Sequence, residues 1–137
     1  MNAAALPPSP RTRVRRVAEL ANYTPAALHA IIDAAYLCHI AFQDEQGRHC
    51  IPTACWRIGG HLYIHGSNGS RMLKQLLRDT DVCVAVTHLD GLVLARSAFN
   101  HTMNYRSAMI YGQFEKVSDI GQQHAAMDAL MEKLAPG

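Results

Sequence analysis

The chain has 137 residues, a formal net charge of +2, and a composition that is 49% hydrophobic and 18% charged. That length suits one domain able to bury a core without staples, and the balance of apolar and charged residues excludes an intrinsically disordered chain. So small a net charge gives no case for nucleic acid as a partner, and no apolar run approaches the roughly 20 residues of a membrane-spanning helix.

Residues 1–18 hold Pro7, Pro8 and Pro10, followed by Arg11, Arg13, Arg15 and Arg16. They are expected to form a flexible, solubilising basic tail ahead of a domain over 19–137. No apolar stretch follows the arginines, so the segment is not a secretory signal, and the cytoplasm is the default location. Thr24 is a natural N-cap and Pro25 suits the first helical position, opening a helix with Leu28, Ile31 and Ile32 as its apolar stripe. "YLCHIAFQ" reads as a strand closed by the turn "DEQGR". "HCIPTACWRI" reads as a second strand, turning at Gly59-Gly60 into "HLYIHGS" as a hairpin.

Alternation along the second strand puts Cys50, Pro52, Ala54, Trp56 and Ile58 on one face and Ile51, Thr53, Cys55 and Arg57 on the other. Pro52 donates no ladder hydrogen bond, which predicts an edge, a bulge or a neighbouring ligand. Ser70 then caps a short helix with Met72, Leu73, Leu76 and Leu77 turned to the core. Two long strands are expected within "DVCVAVTHLDGLVLARSAF" and "SAMIYGQFEKV", joined by a polar connector from about Asn100 to Arg106. A last helix is expected from about Ser118 to Leu134, with Met127, Leu130 and Met131 as its apolar residues. Many strands with few helices set between them indicate a mainly β, antiparallel barrel or roll with helices at its ends. The chain stops directly after a helix, so a C-terminal portion of a longer domain is expected to be absent.

Cys38, Cys50, Cys55 and Cys83 form no C-x-x-C pair and sit in strand-like, apolar runs, where buried free thiols are the expectation. No Cys/His pair recurs at ligand spacing, and no metal site is expected. "IHGSNGSRM" has the chemistry a phosphate needs. Gly66 and Gly69 permit close backbone approach, Ser67 and Ser70 offer hydroxyls, Arg71 can bind bidentately, and a helix N-terminus adds free N–H groups and partial positive charge. A plain strand-to-helix turn explains the same residues. The connector is dense in ligand-contacting side chains: Asn100, His101, Met103, Asn104, Tyr105 and Arg106. No hydrolytic constellation stands out, which favours a cofactor as the source of any difficult chemistry.

The run "IPTACWRIGGHLYIHGSNGSRMLKQLLRDTDVCVAVTHLDGLVLARSAFNHTMNYRSAMIYG" resembles the pyridoxamine 5′-phosphate oxidase-like superfamily of flavin-binding proteins, closest to its nitroimidazole-reductase-like branch. The resemblance covers roughly residues 20–135. It implies a six-stranded antiparallel split β-barrel that forms a homodimer, with FMN at the interface, and an FMN-binding oxidoreductase acting on a small planar substrate with NAD(P)H as a candidate reductant. Ile51, Pro52, Thr53 and Ala54 match the strand passing the flavin ring, and Ile64, His65 and Gly66 line the same side. Ser67, Ser70, Arg71 and Met72 match the phosphate end, while Asn104, Tyr105, Arg106 and Ser107 approach from across the interface. His65 matches the histidine beside the ring and is the candidate catalytic residue. Met72 is a departure, standing where many relatives carry a second basic residue. The alternative is a non-catalytic protein that binds, stores or senses flavin in the same cleft, or haem, for which His65 and His101 are the candidates.

Overall fold

The computed structural model describes residues 5–79 and 81–137. Its elements are α1 (Pro25–Asp33), β1 (Leu37–Asp44), β2 (Gly47–Ile58), β3 (His61–Ile64), α2 (Arg71–Arg78), β4 (Val82–Val93), β5 (Thr102–Gly112) and α3 (Ile120–Leu134), with three short 3-10 turns. The strands pair antiparallel in the order β3-β2-β1-β4-β5. The fold is thus mainly β with flanking helices, with five strands among the described residues. No helix among them is long and apolar enough to cross a membrane.

β1 lies at the middle of the sheet, and its alternate residues build the core. Ile40 stands opposite Ile51 on β2 and Val84 on β4, so one face gathers Cys38, Ile40, Phe42, Cys55, Val82, Val84 and Val86, all buried. α2 covers this face, with Leu76 buried and Met72 and Leu73 packed against it. Leu77, expected to face the core with them, is largely exposed, because the helix turns one narrow stripe inward. The opposite face of β2 carries Trp56, 2% exposed, under Ala126 and Leu130 of α3. Lys133 ties α3 down by donating to the carbonyls of Ile32 and Cys55, at 3.2 and 3.5 Å.

The buried-thiol expectation holds for Cys38 and Cys55, is half met by Cys83, and fails for Cys50, which is exposed on the face it shares with Pro52, away from the Trp56 end that α3 covers. Contact with Cys55 and burial push the Cys38 pKa well above the ordinary thiol range, so it remains a thiol in the core. All four cysteines are free.

The connector also differs from expectation. Residues from Thr102 onward belong to β5, which pairs with β4 out to Val93↔Thr102. β1 meets β4 only over Ala85 to Cys83, so the far halves of β4 and β5 form a two-stranded ribbon beyond the sheet. Cross-strand pairing extends the strand into polar sequence that lacks a strand period of its own. A bulge between Leu89 and Gly91 bends the ribbon, and Asp90 pairs with Arg106 at 2.9 and 3.1 Å. Residues Gln113–Val117, expected to continue the strand, carry no assigned element.

Residues 1–4 of the expected tail lie outside the described residues. Within the rest of it, Arg11 pairs with Asp81 and lies 4.1 Å from the Tyr111 ring centroid, and Val14 donates its backbone N–H to the Tyr23 hydroxyl.

Ile40 is fully buried at the sheet centre. Its replacement by Ala is expected to cost about 2–5 kcal/mol in denaturant unfolding, through lost transfer energy and the cavity left behind. Hydrogen bonds from Arg57, Arg11 and Arg106 hold the carboxyls of Asp33, Asp81 and Asp90 below the usual carboxylate range. The resulting stability is present above the unfolded value of about 3.9 and is lost as pH falls through the lowered folded values. Each pair is exposed, so the individual effects are small. The thermal midpoint should therefore be flat from neutral pH to about 5 and fall below about 4; a midpoint that rises on acidification would contradict this assignment.

Candidate functional site

β3 pairs with β2 only over Cys55 to Ile58, opposite Ile64 to His61. From Gly47 to Ala54, β2 therefore has β1 on one side and, among the described residues, no strand on the other. The open stretch is about 23 Å long at a strand rise of about 3.3 Å per residue. Cys55 donates its N–H to the Tyr36 carbonyl on the β1 side at 3.1 Å. Ladder alternation then turns Cys55, Thr53 and Ile51 to β1, and turns the backbone of Ala54, Pro52 and Cys50 to the open edge. The missing N–H of Pro52 thus falls where no ladder bond is lost, one of the outcomes its place in the strand predicted.

After Ile64 the chain leaves β3 beside Ala54 and enters the turn His65–Ser70. Ser70 accepts the Leu73 N–H on its Oγ at 3.3 Å and caps α2, as expected. The N–H groups of Arg71 and Met72 are left without an intrahelical partner. Gly66 has a packing role beside the approach it allows, since a Cβ there would come within 2.8 Å of Leu73 Cδ1. Met72 turns into the barrel core, which accounts for an apolar residue at a position next to a polar turn.

Arg71 reaches across to the β1–β2 turn. Its Nη1 donates to Gln46 Oε1 at 2.8 Å, and its Nε lies 3.5 Å from Asp44 Oδ2. Asp44 Oδ1 in turn accepts from the Gln46 N–H and contacts His49 Nε2, each at 2.8 Å. The hydrogen bond from His49, chiefly, lowers the Asp44 pKa. The open edge is thereby bracketed: Arg71 sits at the turn where β2 begins, and His65 follows the strand end beside Ala54.

His65 is exposed, with its ring 5.7 Å from that of Trp56 at 62°. Trp56 stacks on Tyr63 at 5.9 Å, and its buried Nε1 has no hydrogen-bond partner. Beyond β3 lies a cavity of about 1020 Å³ between that strand, α2 and the segment leading to α3, lined by Trp56, His65, Lys74 and Phe114 among others.

The structure thus brings Ile51, Pro52, Thr53, Ala54, Ile64, His65, Gly66, Ser67, Ser70 and Arg71 around one edge. Thr53 turns its side chain inward, opposite Cys38. Asn104, Tyr105, Arg106 and Ser107 are not brought there. They are exposed on β5, with β4 and β1 between them and β2. His101 lies beside β5 as well, its Nδ1 accepting the Ala95 N–H at 2.9 Å. Among the described residues, no group of three or more His, Cys, Asp or Glu could hold a metal ion. The sequence reading missed Asp44, Gln46 and His49. Their only local signal was a D-E-Q-G turn, which says nothing about a helix 25 residues away.

A family profile described as pyridoxamine 5′-phosphate oxidase matches residues 24–137. The comparison with curated protein sequences yields no match. Among solved structures, the flavocytochrome Anf3 from Azotobacter vinelandii is 39% identical with a TM-score of 0.86, over 95% of this chain and 60% of that one. An FAD and haem binding protein from Mycobacterium smegmatis is 35% identical with a TM-score of 0.76, over 83% of this chain and 55% of that one. The chain therefore spans little more than half the length of these two neighbours. A proposed 5-nitroimidazole antibiotic resistance protein from Bacteroides thetaiotaomicron, 23% identical with a TM-score of 0.69 over 83% of this chain and 68% of that one, shares the fold. The profile covers well over half of the chain, including every strand of the sheet: the chain belongs to the pyridoxamine 5′-phosphate oxidase family.

Proposed function

We propose that the protein is an FMN-dependent oxidoreductase that works as a homodimer in the cytoplasm, with the flavin lying along the open edge of β2 at the dimer interface. The observation that carries this reading is the bracketed edge: free backbone groups at Pro52 and Ala54, an arginine and a helix N-terminus at one end, and an exposed histidine at the other. The residues fit the cofactor. The C=O of Pro52 and the N–H and C=O of Ala54 suit the polar edge of a planar ring. Arg71, Ser67, Ser70 and the first N–H groups of α2 suit a phosphate.

When bound, the flavin ring supplies the electron transfer between a reductant, with NAD(P)H as the candidate, and a small planar acceptor. The chain's own part is to bind, orient and cover. Ile64 and Gly66 would line the ring, and His65, standing edge-on to Trp56, would be the group able to hold a proton for the substrate.

The dimer is supported by the β4–β5 ribbon. Leu89, Leu92, Leu94, Met103 and Tyr105 are exposed there and Phe99 is 100% exposed, an apolar surface of the kind that marks an interface. Asn104, Tyr105, Arg106 and Ser107 then reach the flavin from the second copy, since two strands separate them from β2 in their own chain. A second reading, a flavin or haem binding protein without turnover, is favoured by the two most identical neighbours described above, a flavocytochrome and an FAD and haem binding protein.

The visible spectrum of the protein titrated with FMN tests the proposal. Saturable uptake is expected, with NAD(P)H bleaching the flavin band, and Arg71→Ala should weaken binding by about 1.5–3 kcal/mol, as loss of a charge-assisted hydrogen bond does. A protein that takes up no FMN would sink the reading. A Soret band on adding haem, with flavin absent or not reduced by NAD(P)H, would move the assignment to the second one.

A further inference from the structure

We propose that Asp44 and Gln46, in the β1–β2 turn, are positioning residues for Arg71, holding its guanidinium so that its remaining N–H groups face a phosphate at the start of α2. The inference rests on the flavin reading above and adds the residues that set its phosphate specificity.

Arg71 is exposed, with 60% of its side chain open to solvent. An arginine free on its stem loses rotamer freedom whenever it captures an anion. Here that freedom is already restricted, because Gln46 takes one Nη1 hydrogen and Asp44 lies along Nε. A guanidinium has five N–H groups; these contacts leave one on Nη1 and both on Nη2, the end-on pair that binds a phosphate in a fork.

The support is anchored in the core. Asp44 has a side chain only 9% exposed and is fixed by the Gln46 N–H and by His49. The His49 ring stacks on Phe42 at 5.0 Å, and Phe42 is a buried core residue. Packing thus runs from the barrel interior through Phe42, His49 and Asp44 to the guanidinium. Asp44 could instead compete with the phosphate for Arg71. Its commitment to His49 and the Gln46 N–H, and the 3.5 Å length of its contact with Nε, favour orientation over competition. Orientation matters here because Met72 is turned into the core, leaving Arg71 and Lys74 as the basic residues of the first turn of α2.

FMN and riboflavin share one ring and differ by the phosphate, so the ratio of their dissociation constants isolates this end of the site. The full chain and its Asp44→Asn, Gln46→Ala and Arg71→Ala variants are titrated with each, by flavin fluorescence. Asp44→Asn and Gln46→Ala are each expected to lower the preference for FMN about 2- to 10-fold, the worth of one hydrogen bond, while riboflavin affinity stays unchanged. Gln46 is exposed, so its variant tests the proposal even if Asp44→Asn disturbs folding. A preference unchanged or raised in both variants, with Arg71→Ala abolishing it, overturns the positioning role and leaves the flavin site standing. A wild-type chain that binds neither flavin overturns both.

Discussion

The short pairing between β2 and β3 is the constraint on which the rest of the molecule depends. A four-residue strand meets a twelve-residue strand, so two thirds of one side of β2 has no partner. Unpaired edges invite association with other strands, and proteins usually blunt them. Here Pro52 does so in part, by removing a donor from the bare edge without costing a bond on the β1 side. What remains is a small set of outward backbone groups flanked by the turn after β3 and the first turn of α2. A ligand with a polar planar edge and an anionic tail matches that set better than another strand does, because proline interrupts the donor row.

In the proposed dimer, the same sheet explains why each site would draw on both chains. β1 is committed to the core, and β2 and β5 stand on opposite sides of the β1–β4 pair. The β4–β5 ribbon therefore carries its apolar and polar ligand-type residues away from its own open edge. Its bulge and the Asp90–Arg106 pair fix the bend without burying the ribbon's leucines and Phe99. Exposed apolar surface of this kind marks an interface, and in the proposed dimer a two-fold related copy would cover it and bring these side chains to both sites at once.

Much of this was legible in the residues. Thr24-Pro25 and Ser70 are strong local signals, and both cap helices as read. The Gly59-Gly60 turn works for the same reason, since Gly59 takes a φ of +58° that other residues avoid. The face assignment along β2 followed from strand period alone, and the burial of Cys55 and Trp56 on opposite faces agrees with it. What escaped the reading depended on contacts far apart in sequence. The strand from Thr102 to Arg106 exists because β4 lies beside it. Leu77 faces out because α2 is short and shows one stripe to the barrel. Asp44, Gln46 and His49 became part of the site only when the β1–β2 turn folded against α2. The family resemblance, by contrast, rested on an extended pattern of strand, turn and helix, and the profile over residues 24–137 agrees with it.

The proposed function places flavin along the β2 edge between two copies of the chain. A crystal structure of the protein with FMN bound tests it most directly. The ring edge is expected beside Pro52 and Ala54, the phosphate at Ser70 and Arg71, and Asn104 to Ser107 arriving from the second copy. Flavin bound within one chain, in the cavity between β3 and α3 and away from the β2 edge, would contradict it.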